Sequence, residues 1–298
     1  MANSARSYAV LSIVAALCTI ALKGFAYWFT GSVGLLSDAM ESCVNLLAAL
    51  VAFWMLSLAA KPPDDDHPYG HSKAEYFSSG TESVLIVLAA ISIAVAAVPR
   101  LLHPEPIQQV GLGLGLTLAA TAMNAIVAWT LLKAGHQLNS ITLRADAHHL
   151  LTDVWTSVGV LLGILLVKAT GWLFLDPLIA LAVAANIIWA GFRLLRESCS
   201  GLLDQAIPEP EQRQVKAILE RYEASGIRFH ALRTRMAGAR RFISLHVLVP
   251  DTWTVSKGHN LCDQLEVEIV RSLPHTSVIT HLEPLDDPLS ELDTTLDR

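Results

Sequence analysis

The chain of 298 residues has a mean hydropathy of +0.46, with 53% hydrophobic and only 16% charged residues. Because a soluble domain usually has about 25% charged residues, this is the composition of a membrane protein. The formal net charge of −6, without a basic stripe, excludes a nucleic-acid-binding protein. Charged residues are sparse before about Arg193 and dense after it, which predicts a membrane domain followed by a soluble domain.

Six apolar stretches are each close to the roughly 20 residues that a helix needs to cross a bilayer. They cover residues 8–29, 33–57, 79–99, 110–132, 147–168 and 172–192. An even number of spans places both termini on the same side of the membrane. The loops on that side carry Arg6, Lys61, Lys73, Lys133, Arg144, Arg193 and Arg196, whereas the opposite loops carry only Arg100 and Lys168. The positive-inside rule therefore predicts that both termini are cytoplasmic.

The second segment contains the polar pattern SDAMESCVNLL. Glu41 and Asn45 are four residues apart, and Asp38 precedes Glu41 by three, so a helix presents all three on one face. A carboxylate inside a membrane helix is costly and indicates a function. For Asn45 alone, hydrogen-bonding between packed helices is an equally good interpretation.

An acidic and histidine-rich loop, KPPDDDHPYGHSKAE, follows at residues 61–75. Its prolines and glycine predict irregular structure. Three aspartates precede His67, and His71 follows four residues later. This pattern indicates a surface metal site or a funnel that concentrates cations. The alternative is a solvated acidic loop without a bound ion.

The fifth segment opens with RADAHHLLTDVWTSVG, from Arg144 to Gly159. His149 and Asp153 are four residues apart, so a helix places both side chains on one face, one turn apart. An imidazole and a carboxylate at this spacing can hold one divalent ion. Together with the polar pair of the second segment they would complete a four-coordinate site, the number that a zinc-like ion prefers.

The part after about Leu202 has the pattern of a small α/β domain. Amphipathic helices are predicted at 208–224 and 255–272, and strands at 226–235, 241–249 and 276–282. The order α-β-β-α-β fits a ferredoxin-like sandwich. Within about fifty residues this domain carries His230, His246, His259 and His281, followed by Glu283. That density favours metal ligation over structural histidines.

These motifs resemble the cation diffusion facilitator family. The matching stretches are GSVGLLSDAMES, DDDHPYGHSKAE, RADAHHLLTDVWTSVG, DPLIAL, LLDQAIP, HALRTR and RFISLHV, which cover nearly the whole chain. The resemblance is closest to the bacterial zinc and iron exporter branch with a cytoplasmic domain. It implies a homodimer with a six-helix transmembrane bundle at 1–200, a ferredoxin-like regulatory domain at 201–284 and an acidic tail at 285–298.

The resemblance also implies the activity. Members of the family exchange a cytoplasmic divalent ion for external protons across the bilayer. Zn²⁺ is the first expectation here, with Fe²⁺, Mn²⁺, Co²⁺ and Cd²⁺ as alternatives. The metal is substrate and regulatory ligand, and no separate cofactor or enzymatic activity is expected. The expected location is the bacterial inner membrane.

Carried over by position, the resemblance implies three metal sites. The transport site between the second and fifth helices uses Glu41, Asn45, His149 and Asp153. The loop site uses Asp64, His67 and His71. The cytoplasmic site, around two ions at the dimer interface, uses His230, His246, His259, His281 and Glu283. A salt bridge near the dimer seam is implied at Lys73 and Asp204.

The chain departs from the family pattern at the second helix. This branch usually has Asp or His at both ligand positions, whereas this chain has Glu41 and Asn45. Oxygen donors suit harder ions such as Mn²⁺ better than Zn²⁺, so the identity of the metal stays open. Whether Asp38 compensates as an outer-shell group also stays open.

Two alternatives from other functional classes apply. A membrane metal sensor would bind the ion without carrying it, and a flux measurement separates it from a transporter. An intramembrane metalloenzyme usually needs a helical HExxH or a comparable site with a nucleophile. No HExxH occurs in the sequence, which disfavours the enzyme.

Overall fold

The computed structural model describes residues 2–30, 33–103 and 112–291. The chain divides into two compact units, Met1–Cys199 and Ser200–Arg298. The first unit consists of six helices: α1 (Ala2–Thr30), α2 (Val33–Ala59), α3 (Ala74–Leu102), α4 (Leu112–Gln137), α5 (Ile141–Thr170) and α6 (Leu175–Leu202). The predicted helical membrane region is thus confirmed.

Four stretches among the described residues are long and apolar enough to cross a membrane: Ala5–Phe25, Ala74–Leu102, Leu118–Gln137 and Pro177–Leu202. Within the described part of α2, a shorter apolar stretch covers Asn45–Ala59. The other two helices of this unit are α2 and α5. In the sequence, these two helices are where the predicted transport ligands lie.

Several helices extend beyond the apolar segments that predicted them. Helix α3 begins at Ala74 and α5 at Ile141, each five or six residues before its predicted start. Hydropathy marks only the part of a helix that faces lipid, whereas a cap decides where the helix begins. At α5 the Ser140 hydroxyl accepts a hydrogen bond from the Leu143 N–H at 3.4 Å. The helix ends at Thr170 and is capped by Gly171, whose φ of 76° favours glycine.

The core of the helical unit is built largely from small side chains. Helix α1 packs against α2 and α4, and α4 packs against α5. The buried residues at these contacts are Ala5, Ala9, Ala15, Leu56, Val127, Ala128, Leu131, Ala134, Leu143, Ala147 and Leu150. Alanines let helix backbones approach closely, which brings polar side chains on neighbouring helices within hydrogen-bonding distance.

The second unit is a small α/β domain, as predicted. It contains α7 (Glu209–Glu223), β1 (Arg228–Ala237), β2 (Arg240–Val249), α8 (Val255–Ser272) and β3 (Thr276–Pro284), followed by a 3₁₀ helix at Pro288–Glu291. The sheet order is β1-β2-β3. Strands β1 and β2 are antiparallel, and β2 and β3 are parallel with α8 as the crossover. Residues 292–298 of the predicted acidic tail lie outside the described residues.

The sheet of this domain has one apolar face and one polar face. Alternate residues of β2, Ile243, Leu245 and Val247, are buried in the core with apolar residues of α7 and α8. Successive strand side chains point to opposite faces, so His246 lies on the other side of the sheet. The alternation of strand residues therefore places the histidines away from the apolar core.

Candidate metal centres

The transport-site residues that the structure describes meet inside the helical unit. Asn45 of α2 donates through Nδ2 to Asp153 Oδ2 of α5 at 2.5 Å. Asn45 Oδ1 lies 2.6 Å from His149 Nε2. All three side chains are buried, with exposures of 5% to 7%. The side chain of Glu41 and that of Asp38 lie outside the described part of α2, so their roles stay predictions.

This arrangement follows from helix geometry and packing. His149 and Asp153 are one turn apart on α5, so one amide on α2 can contact both. The amide of Asn45 bridges the imidazole and the carboxylate through its two ends. A divalent ion would bind the same nitrogen and oxygen lone pairs. These donors fit a transition-metal ion that accepts both imidazole and oxygen ligands.

Asn124 of α4 belongs to the same cluster, although the sequence did not single it out. Its Nδ2 donates to Asp153 Oδ2 at 3.2 Å, and the side chain is only 2% exposed. Its Oδ1 is buried without a hydrogen-bond partner among the described residues, as is Nδ1 of His149. In the sequence, the feature that points to Asn124 is its position as a single Asn within an otherwise apolar predicted span. Asn124 orients the Asp153 carboxylate and offers one further oxygen.

We expect Asn124→Leu to weaken binding of divalent metal by roughly 10–100-fold, which is the usual effect of losing an outer-shell partner of a metal site. Leucine keeps a similar volume but removes the donor to Asp153. Calorimetric titration of the purified protein measures the change. Asn186→Leu on α6 is the matched control, because Asn186 is exposed and outside the cluster. Equal affinities of Asn124→Leu and the control would contradict the role of Asn124.

The loop before α3 brings its three predicted ligands together. Asp64 Oδ1 lies 3.1 Å from His67 Nδ1, and Asp64 Oδ2 lies 3.3 Å from His71 Nε2. The His67 N–H donates to Asp64 Oδ1 at 2.7 Å, and Gly70 turns the chain with a φ of 81°. The group is close enough to share one ion. His71 is largely buried whereas Asp64 and His67 are exposed, so the site opens to solvent.

The charge of this loop site favours a cation at neutral pH. Burial opposes ionisation of Asp64, but hydrogen bonds from the backbone and ring of His67, with the nearby His71, lower its pKa below the ordinary value. A depressed pKa means that the carboxylate stays ionised at neutral pH and loses its charge only in more acidic solution.

The cytoplasmic cluster is assembled by strand register. His230 of β1 pairs with His246 of β2, which pairs with His281 of β3, so the three lie in one row across the sheet. Glu283 follows His281 by two residues and therefore lies on the same face. Its carboxylate lies 3.0 Å from His230 Nε2 and 3.1 Å from His246 Nδ1. The two ring nitrogens are 3.1 Å apart.

These distances fit a tetrahedral ion. Zinc-to-ligand bonds of about 2.0–2.1 Å put neighbouring ligand atoms about 3.3 Å apart. Among the described residues of this domain, His230, His246 and Glu283 therefore form a group that could hold a metal ion. A β-bulge follows His230, with Ala231 at a φ of 50°. Bulges occur near functional sites because they redirect a side chain.

The other two predicted cytoplasmic ligands are placed differently. His281 is 65% exposed, and its Nε2 lies 3.6 Å from the Glu283 carboxylate at the edge of the group. His259 lies on α8 and is 68% exposed, with Asp263 Oδ2 at 3.5 Å. His281 can join the ion bound by the main group. His259 stands apart from that group in this chain, and its role as a ligand stays a prediction.

The two residues of the predicted seam salt bridge lie in different units. Lys73 precedes the first residue of α3, and Asp204 follows α6 with a φ of 58°. Within the second unit, Asp204 accepts from Arg235 at 3.2 Å. The pairing of Lys73 with Asp204 stays a prediction.

Comparison with known proteins gives the family. Residues 9–203 match the cation efflux transmembrane domain, and residues 207–285 match the cytoplasmic domain of cation efflux proteins. An uncharacterized transporter of Synechocystis sp., sll1263, is 57% identical over 289 residues, covering 97% of this chain and 93% of the relative. The cation-efflux pump FieF of Klebsiella pneumoniae is 32% identical over 281 residues, covering 93% and 91%.

A solved structure of CzrB is 34% identical in sequence, and the match covers 26% of this chain and 96% of the CzrB chain. The TM-score is 0.25, so this match is no evidence about the fold. The two domain matches together span both units, and the FieF match is continuous across them. The chain is an integral membrane protein, and it belongs to the cation efflux family, also known as the cation diffusion facilitators.

Proposed function

We propose that this transporter exports a divalent transition-metal ion from the cytoplasm in exchange for external protons, by alternating access as a homodimer. Zn²⁺ is the first candidate, with Fe²⁺, Mn²⁺, Co²⁺ and Cd²⁺ as alternatives. The observation that supports it most is the buried cluster of Asn45, His149 and Asp153 between membrane helices. Buried ionisable groups on membrane helices are costly, and they mark ion pathways.

The exchange follows from the chemistry of these ligands. A metal binds His149 and Asp153 only when both are deprotonated, so the ion and protons compete for the same lone pairs. In the cytoplasm-facing state the ion displaces the protons. In the outward-facing state a lower external pH protonates the ligands and releases the ion. An imidazole is suited to this role, because an ordinary histidine titrates near pH 6.5.

The orientation in this proposal places both termini in the cytoplasm of a bacterial cell, at the plasma membrane. The support is the distribution of Lys and Arg among the loops. The loop group of Asp64, His67 and His71 then faces the cytoplasm, where it collects ions for the transport site. The cytoplasmic cluster senses the metal, and an ion held there stabilises the dimer and raises the transport rate.

Flux into proteoliposomes with an imposed pH gradient tests the exchange. Zn²⁺, Mn²⁺, Fe²⁺, Co²⁺ and Cd²⁺ are compared with and without the gradient. We expect metal movement that depends on the gradient and is accompanied by counter-movement of protons. Flux indifferent to the gradient would refute the exchange. Metal binding without flux of any ion would favour the membrane sensor instead.

The cytoplasmic cluster allows a matched pair of variants. We expect His230→Ala to reduce the stimulation of transport by metal several-fold without abolishing flux, because it removes one of the three grouped ligands. His259→Ala should have a smaller effect, since His259 stands apart with Asp263. The measurement is the initial flux rate against metal concentration. Complete loss of flux in His230→Ala, or equal effects of both substitutions, would contradict this regulatory role.

A further inference from the structure

Helix α3 carries a polar stripe in its first three turns. Glu75, Ser78, Ser79, Glu82 and Ser83 are all buried, although they precede a long apolar stretch. Two of these residues, Glu75 and Ser79, are hydrogen-bonded to residues outside α3. The Ser140 hydroxyl donates to the Glu75 carboxylate. The Ser79 hydroxyl lies 2.6 Å from that of Ser198 on α6. The Ser78 hydroxyl and the Glu82 carboxyl have no hydrogen-bond partner among the described residues.

Glu75 contacts Ser140 and Thr142 at the start of α5, and Glu82 lies two turns further along α3, at the level of a second buried carboxyl group, Asp146 of α5. Glu82 is 0% exposed and Asp146 is 1% exposed. Neither carboxyl oxygen of Glu82, nor Oδ2 of Asp146, has a hydrogen-bond partner among the described residues. The two carboxyl groups are close enough to interact electrostatically. The metal ligands of the transport cluster do not include either of them.

Among the described residues, hydroxyls and no cations are found as partners of this pair. Glu82 interacts with Ser78 on its own helix, and Asp146 interacts with Ser12 of α1. None of the described lysines, arginines and histidines of the packed helices pairs with either carboxyl. Two ionised carboxylates buried together without a cation are strongly disfavoured, and such pairs hold a proton instead.

The pair lies beside the transport cluster along α5. Asp146, His149 and Asp153 are spaced by three and four residues, so they follow one stripe of the helix. Asp146 is displaced from His149 by about 4.5 Å along the helix axis, toward the N-terminal end of α5. A divalent ion held by His149 and Asp153 would therefore place positive charge about one turn from the pair. That charge favours the ionised form of a carboxyl group.

We propose that Glu82 and Asp146 form a proton-binding site, separate from the metal ligands, which releases its proton when metal binds next to it on α5. The coupling is electrostatic: the ion and the proton share no ligand atom, and the proton returns to the pair when the ion leaves. This proposal rests on the exchange of metal for protons and adds a second place where a proton is carried. In this proposal, movement of α3 and α5 lets water reach the two carboxyl groups, and the proton leaves through that water.

Proton release on metal binding tests the site in the purified full-length protein. Zn²⁺ is titrated by calorimetry in two buffers of different ionisation enthalpy, which gives the number of protons released per ion. We expect Glu82→Gln to lower that number by about one proton. Asp146→Asn should act in the same way. Glu75→Gln is the matched control, because that carboxylate lies on the same stripe but is hydrogen-bonded by Ser140.

Infrared difference spectroscopy on the same samples identifies the proton directly. We expect the C=O band of a protonated carboxylic acid to disappear when Zn²⁺ binds to the wild type, and this signal to be absent in Glu82→Gln. An unchanged proton number and an unchanged band in both Glu82→Gln and Asp146→Asn would overturn the proposal. So would the loss of one bound Zn²⁺ per chain in Glu82→Gln, because the pair would then be a cation site.

Failure of the proton-site proposal can be told apart from failure of the exchange proposal. Gradient-independent flux in wild-type proteoliposomes would refute the exchange, whatever the calorimetry shows. Release of a Glu82-dependent proton in detergent would still establish the site itself. Asp146→Asn serves as the second variant if Glu82→Gln does not yield folded protein.

Discussion

Replacing Asp153 with alanine is expected to abolish metal transport and to weaken metal binding by more than about 100-fold, the upper end of roughly 10–100-fold for losing an outer-shell partner. The carboxylate would be a direct ligand in this proposal. Its Oδ2 also accepts from the amides of Asn45 and Asn124. The variant therefore removes a ligand and leaves two buried amide donors unpaired. Flux in proteoliposomes and calorimetric titration measure the two effects.

Asp153→Asn separates charge from shape in the same assays. It preserves the volume of the side chain and one oxygen acceptor, but it removes the negative charge. We expect it to fold like the wild type and to lose transport almost as completely as the alanine variant. Transport by Asp153→Asn at the wild-type rate would show that the carboxylate is not a metal ligand. Transport by Asp153→Ala would place the ion elsewhere in the helical unit.

Replacing Asn45 with aspartate is expected to tighten metal binding about tenfold or more, because it adds a negative charge to a buried site of low effective dielectric. In the structure, Asn45 holds the His149 imidazole and the Asp153 carboxylate together through one amide. A carboxylate in its place would lie against Asp153, and without metal the two would share a proton. The variant should therefore also release up to about one additional proton per ion.

Calorimetric titration with Zn²⁺ and Mn²⁺, in buffers of different ionisation enthalpy, measures both changes. Asn45→Leu is the control, because it keeps a similar volume while removing both hydrogen bonds. It should weaken binding of every ion. If Asn45→Asp leaves affinity and proton release unchanged, Asn45 holds α2 against α5 without contacting the ion. That result would establish the helix-packing interpretation that the sequence left open.

Much of the helical unit could be predicted, because the bilayer imposes a simple rule on sequence. About 20 apolar residues are needed to cross it, and six such stretches occur. The spacing of His149 and Asp153 likewise follows from the period of one helix. The starts of α3 and α5 were misplaced because those helices extend past the apolar stretch. Their ends depend on caps and on polar contacts such as that of Ser140 with Glu75, which hydropathy does not register.

Asn124 shows why the transport cluster could be predicted only in part. A single Asn in an apolar span has no partner within its own helix, so periodicity carries no signal for it. Its hydrogen bond to Asp153 exists because α4 packs against α5. Glu82 is comparable, because a single carboxylate near the end of an apolar span also carries no signal about its neighbours in the fold. Helix packing buries it completely, and with the buried Asp146 of α5 it makes up the proton-binding site proposed above.

The sequence by itself determined the membrane class, the small α/β domain, and the one-turn spacing of the paired polar residues on α2 and α5. These properties depend on composition and on distances along one element, which the chain carries locally. Only the tertiary structure decided which side chains meet. The row of His230, His246 and His281 requires the register of three strands, and the separation of His259 from that row requires the placement of α8. Contacts between elements depend on packing, and packing is a property of the whole fold.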